Sequence, residues 1–237
     1  MTSLSKNARI AGLLYLTLLG APLRLIYIPN RLFVTGNPSA TASNIAAHEM
    51  LFRWGIVADL FTGVMALFLM LALYRLLKGV NEGLAVVMVI LGSLMSTPIY
   101  FFNTLNDAAA LLFARGSDFL SVFDKPQRDA LVVLFLRLHG QGVLANQIFW
   151  GLWLLPFGLL VYRSRFLPRI LGIWLTVNCF AYLALSFTGL LFLRYEARVW
   201  NIVFPFMFGE LAIMLWLLIM GAKPGPWMVA APSSAAG

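Results

Sequence analysis

Six stretches of about 20 apolar residues dominate the chain, at approximately 10–29, 54–74, 84–104, 141–162, 169–193 and 199–220. A helix of that length satisfies its own backbone hydrogen bonds and covers the roughly 30 Å hydrocarbon layer of a bilayer. The pattern predicts an all-α polytopic membrane protein with six transmembrane helices. Composition excludes the alternative: 61% of the residues are hydrophobic and 11% charged, against about 25% charged in a soluble domain. Too little polar surface remains to cover a globule in water. The net charge of +8 does not point to nucleic acid, because the Lys and Arg residues are scattered between apolar blocks and form no basic stripe. Cys179, the single cysteine, sits in an apolar run and reads as a small core residue; there is no disulfide framework and no Cys-based zinc knuckle.

Lys6 and Arg9 precede the first apolar run, as they would in a signal peptide. The run is too long for one, and Ala40-Thr41-Ala42 falls well beyond its end, so it reads as an uncleaved span. Six spans place both termini on one side. The short connectors on that side carry Arg75, Lys78, Arg163, Arg165 and Arg169, joining Lys6 and Arg9, which predicts a cytoplasmic location for both termini. The opposite segments are longer and mix their positive residues with Asp107, Asp118, Asp124 and Asp129. They contain helix starts at Asn37-Pro38 and at Asp124-Lys125-Pro126-Gln127. The second and fourth helices are therefore expected to begin outside the membrane, giving the outer face helical extensions. Residues 1–222 form the transmembrane domain, and the Pro-, Ala-, Gly- and Ser-rich tail 223–237 is expected to be disordered. A faint repeat aligns Arg9-Ile10-Ala11-Gly12 with Arg169-Ile170-Leu171-Gly172 and Tyr74-Arg75 with Tyr162-Arg163; it fits either a duplicated hairpin or repeated interfacial selection of Tyr and Arg.

Several strings together carry a family resemblance. They are Ala8-Arg9-Ile10-Ala11-Gly12-Leu13-Leu14-Tyr15, His48-Glu49-Met50-Leu51-Phe52-Arg53 with Asp59, Leu73-Tyr74-Arg75-Leu76-Leu77-Lys78, Gln147-Ile148-Phe149-Trp150-Gly151-Leu152-Trp153-Leu154-Leu155-Pro156, Phe166-Leu167-Pro168-Arg169-Ile170-Leu171-Gly172 and Gly209-Glu210. Over roughly residues 5–222 the sequence resembles the bacterial integral-membrane family called domain of unknown function 4386. The resemblance implies a bacterial cytoplasmic-membrane protein and brings no activity.

Ionisable residues inside a span are costly, so each is a candidate for function. Arg24, Asp59 and Gln147 each lie fifteen residues from an inner marker (Arg9, Tyr74 and Tyr162), about 22 Å along a helix at 1.5 Å per residue. They are expected to form one layer, as an Arg24–Asp59 ion pair completed by Gln147 or as a ligand contact. Glu210 lies deeper, with Asn178 as a candidate neutral partner and a proton relay as the alternative to a plain hydrogen bond. A second layer, about 35 to 39 Å up, holds both histidines, His48 and His139, and beside them Asp107 and Glu49. These four offer the mixed N/O donors of a divalent metal site, but no local metal motif accompanies them, and caps or cross-links of projecting helices and the Glu49–Arg53 i, i+4 pair account for them without a metal. Bis-His haem ligation is a further alternative. Trp150, Trp153 and Trp174 read as packing or lipid-facing residues, and Pro22, Pro98, Pro156 and Pro205 as breaks that free backbone carbonyls.

The ionisable groups occupy the middle and outer parts of the spans, while the inner parts offer little beyond Thr17, Ser93, Ser96, Thr97 and Thr176. That asymmetry favours an outward-facing polar pocket that binds a small molecule, lipid or partner. A membrane-embedded metal-assisted hydrolase or lipid-modifying enzyme, and a proton-coupled carrier, are the alternatives. No catalytic residue is identified: Ser/His/Asp order, P-loop and dinucleotide fingerprint are all missing from the sequence.

Overall fold

The computed structural model describes residues 3–223; of the tail expected to be disordered, all but Lys223 lies outside them. Among the described residues, six helices are long and apolar enough to cross a membrane: α1 (Ser3–Leu32), α3 (Glu49–Leu77), α4 (Glu82–Arg115), α5 (Lys125–Ser164), α6 (Arg169–Leu191) and α7 (Leu193–Met220). A short helix, α2 (Pro38–Ala47), packs on the ends of α4 and α5. The first and last described segments meet, since Arg9 donates to the Ile219 carbonyl at 3.2 Å. That end is called the terminal end below, and the end carrying α2 the distal end.

Local chemistry sets the helix boundaries. Asn37 accepts from the Ala40 amide at 2.9 Å with Pro38 in the first turn. Asp124 and Gln127 form a reciprocal capping box, so α5 begins well before its apolar stretch, as expected. The helix that opens at Pro38 does not run on into the second span. It ends at Ala47, and His48 takes a non-helical conformation (φ −118°, ψ 40°) from which α3 starts afresh.

The four prolines mark departures from α geometry. Pro22 lies between a 3₁₀ turn (Leu18–Gly20) and a π turn (Leu23–Tyr27). Pro98 follows a π turn (Ile90–Met95), Pro156 follows the break of α5 at Trp153, and Pro205 lies in a 3₁₀ turn (Phe204–Met207). Each removes an amide donor, and the freed carbonyls need other partners. Just after Pro205, at the junction of the 3₁₀ turn with the rest of α7, α6 supplies donors: Trp174 Nε1 donates to the Phe206 carbonyl at 3.0 Å and Asn178 Nδ2 to the Met207 carbonyl at 3.4 Å.

Lipid tails do not drive apolar helices together, so close backbone approach carries much of the packing. A Cβ on Gly158 would stand 2.7 Å from the Gly172 carbonyl oxygen, and one on Gly172 2.6 Å from the Gly158 oxygen, so α5 and α6 meet through paired glycines. The apolar core forms two main blocks. One, around Leu69, Leu73, Phe157 and Leu175, fills the terminal half; the other, around Ile28, Ile45, Phe52 and Val132, fills the distal part. Phe61, Phe68, Phe180 and Phe187 lie exposed on the span surfaces, where lipid is the natural solvent.

Candidate functional site

Four helices bring ionisable side chains to one buried place. Arg24 projects from the π turn of α1, Asp59 from α3, Asp107 from α4 and His139 from α5, and each is at most 4% exposed. Space for the arginine comes from Gly55, whose added Cβ would lie 3.1 Å from Arg24 Cδ and still closer to Ile28. The guanidinium stands near two rings, 5.8 Å from the centroid of Phe33 and 5.7 Å from that of Phe52. Its edge faces Asp107: Nε donates to Oδ2 at 2.7 Å and Nη2 to Oδ1. This two-point geometry suits a planar guanidinium and not an ammonium.

The expected Arg24–Asp59 pair is therefore replaced by Arg24–Asp107. Asp59 instead faces the imidazole, with Oδ2 3.9 Å from His139 Nε2, while His139 Nδ1 lies 3.3 Å from Asp107 Oδ1. Neither contact is a hydrogen bond: both imidazole nitrogens and Asp59 Oδ1 are buried without a hydrogen-bond partner. One ligand atom from each of Asp59, Asp107 and His139 lies within 4.8 Å of the others. Asn103 on α4 donates to the His139 carbonyl at 3.3 Å, fitting against Gly142, where a Cβ would overlap its amide.

His48 and Glu49 lie apart from this cluster. His48 is exposed, with Nδ1 3.0 Å from the Asn44 carbonyl oxygen. Glu49 pairs with Arg53 at 2.7 Å and with Arg115 at 3.5 Å. Of the four residues expected to offer metal donors, only His139 and Asp107 come together. Asp59 joins them because residue counting gives position along an axis, which equals depth only for parallel helices with level markers. Gln147 lies two turns along α5 from His139 and lines, with Arg24, His139, Gln141 and Glu196, a groove of about 340 Å³; its buried Oε1 has no hydrogen-bond partner.

A second cavity, of about 310 Å³, surrounds Glu210. Tyr15 donates to Glu210 Oε2 at 2.6 Å, and Tyr182 stands beside the same carboxyl. Asn178 is not its partner, because that amide is engaged at the Pro205 break. Aromatic rings line the walls: Trp150 lies 5.9 Å from Tyr100 and 6.2 Å from Tyr182, and Tyr15 lies 6.1 Å from Trp153. Trp150 and Trp153 thus line the cavity as well as packing against its tyrosines. The remaining lining includes Leu19 and Ile26 of α1 and Leu211 of α7, all exposed on the span surface, so the cavity reaches the bundle surface between those helices. Sequence reading passed over Tyr15, Tyr100 and Tyr182. Their signal was position: interfacial tyrosines gather at span ends, whereas these three lie well inside their spans.

A family model described as domain of unknown function (DUF4386) matches residues 10–221. No curated protein and no solved structure matches the chain.

Proposed function

The chain belongs to the family of domain of unknown function 4386, which brings no activity with it, and we propose that the protein binds one amphipathic cation in the cavity around Glu210. The observation that carries this reading is a carboxyl with hydroxyl partners inside a wall of Tyr and Trp rings. Aromatic faces attract ammonium groups, and a carboxylate supplies the countercharge. Such a group gains most where water is excluded. The opening between α1 and α7, flanked by Leu19, Ile26 and Leu211, suits an apolar tail that stays in the bilayer. A volume of about 310 Å³ suits a head group of modest size, at the lower end of ordinary ligand pockets.

The protein sits in a bacterial cytoplasmic membrane with its terminal end inside, a placement supported by Lys6, Arg9, Arg75, Lys78 and the arginines at 163, 165 and 169. With that orientation the groove lined by Arg24 and Gln147 faces outward. Reporter fusions at residues 79 and 118 test this orientation and should read inside and outside respectively.

Ligand binding is tested by titrating dodecyltrimethylammonium into protein held in a neutral detergent. Saturable one-site binding is expected, with Glu210→Gln weakening it at least about tenfold through loss of a charge-assisted contact. Ala66→Phe, which fills the cavity, should weaken it too. Equal binding of dodecyl sulfate, or unchanged affinity in Glu210→Gln, overturns the reading.

A further inference from the structure

We propose that Asp59, Asp107 and His139 bind a single divalent transition-metal ion, of the zinc type, at the meeting point of α3, α4 and α5. The inference is independent of the cation reading for the Glu210 cavity and uses none of its residues.

Spacing is the first argument. Ligand atoms bound at 2.0 to 2.1 Å to a tetrahedral ion stand about 3.3 Å apart. His139 Nδ1 and Asp107 Oδ1 are 3.3 Å apart without being hydrogen bonded, His139 Nε2 and Asp59 Oδ2 are 3.9 Å apart, and one ligand atom from each of the three side chains lies within 4.8 Å of the others. Unpartnered polar atoms are the second argument. An imidazole 4% exposed and a carboxylate 2% exposed are expected to have partners. Yet both ring nitrogens and Asp59 Oδ1 have no hydrogen-bond partner, and the ring nitrogens face carboxylate oxygens only at 3.3 and 3.9 Å. A protonated imidazole satisfied by these carboxylates would aim its N–H groups at them, whereas an ion between the three side chains takes a lone pair from each.

Charge is the third argument. Arg24 neutralises only one of the two carboxylates, which leaves the cluster attractive to a cation with a neutral imidazole present. Arg24 acts as a positioning residue. Its two donated hydrogen bonds fix Asp107, as outer partners fix metal-bound carboxylates elsewhere, and a carboxylate has enough lone pairs to accept them and still ligate. Access is the fourth argument. The groove of about 340 Å³ that includes Gln147 and Gln141 is lined by Arg24 and His139 and not by the two carboxylates, so it opens onto the imidazole side of the cluster. One imidazole and two carboxylates make a mixed N/O set, the donors preferred by zinc and by ferrous or manganous ions over softer metals.

The test uses the full chain, purified in detergent, stripped with chelator, incubated with Zn²⁺ alone, desalted and analysed for metal. One zinc per chain is expected for the wild type. Asp59→Asn and His139→Gln should reduce affinity at least about tenfold, while His48→Gln, which changes the only other histidine, should leave it unchanged. The proposal is overturned if the wild type retains no more zinc than His139→Gln, or if His48→Gln removes as much. Should the cluster variants not fold, Co²⁺ in the wild-type protein decides. Intense visible bands of a four- or five-coordinate N/O site, lost on adding Zn²⁺, are expected. A spectrum matching aqueous Co²⁺ overturns the site.

Discussion

Arg24 is coupled to Asp107 more strongly than to Asp59, and a pair of double-mutant cycles measures the difference. The two-point contact, with one hydrogen bond at 2.7 Å, places the charge centres about 4 Å apart, which is worth about 4 kcal/mol at an effective dielectric of about 20. Removing one partner leaves the other charge buried, and such changes cost about 3–5 kcal/mol. Unfolding in mixed micelles of rising dodecyl sulfate fraction, followed by tryptophan fluorescence with chelator present, supplies the free energies. Asp107→Asn should lose about 3 kcal/mol or more, and Arg24→Ala a similar amount. Their double variant should lose clearly less than the sum, giving a coupling of about 2 kcal/mol. In metal-free protein Asp59→Asn should be neutral or stabilising, because it removes a buried carboxylate that Arg24 does not neutralise, and its coupling to Arg24 should stay below about 1 kcal/mol. Arg24→Lys should not rescue, since an ammonium cannot make the paired contact beside Phe33 and Phe52. An Arg24–Asp59 coupling equal to or above the Arg24–Asp107 coupling refutes the assignment.

Three further expectations test the scaffold. Gly158→Ala, whose Cβ would press to 2.7 Å on the Gly172 carbonyl oxygen, should force α5 from α6 and cost about 1–3 kcal/mol in the same assay; wild-type stability would contradict the close packing. Asp124→Ala removes the capping box of α5 and should cost about 1 kcal/mol, with faster amide exchange confined to the first turn. Trp174→Phe deletes the donor to the Phe206 carbonyl and should cost about 0.6 to 1.7 kcal/mol; no change would mean that the Pro205 break has another partner.

The spans were legible because their apolar length is a property of contiguous sequence, and the caps at Asn37 and Asp124 because capping is local chemistry. The pairing of charges was not legible, and the reason is geometric. Residue counting sets His139 eight residues beyond the level of Asp59, about 12 Å, yet their side chains are 3.9 Å apart. The count carries an error at every tilt, and the break of α5 at Trp153 lies between His139 and its marker Tyr162. A π turn adds a second error by changing the rotational phase of the residues that follow, and Arg24 lies inside one. Depth and phase are both needed to choose between Asp59 and Asp107, and a sequence states neither to within one helical turn. What it does state is that Arg24, Asp59, Asp107 and His139 each interrupt a run destined for lipid or its edge. Isolated, each would cost several kcal/mol, so four of them on four helices are tolerable only together. That energetic necessity, more than any spacing, is the trace the cluster leaves in the sequence.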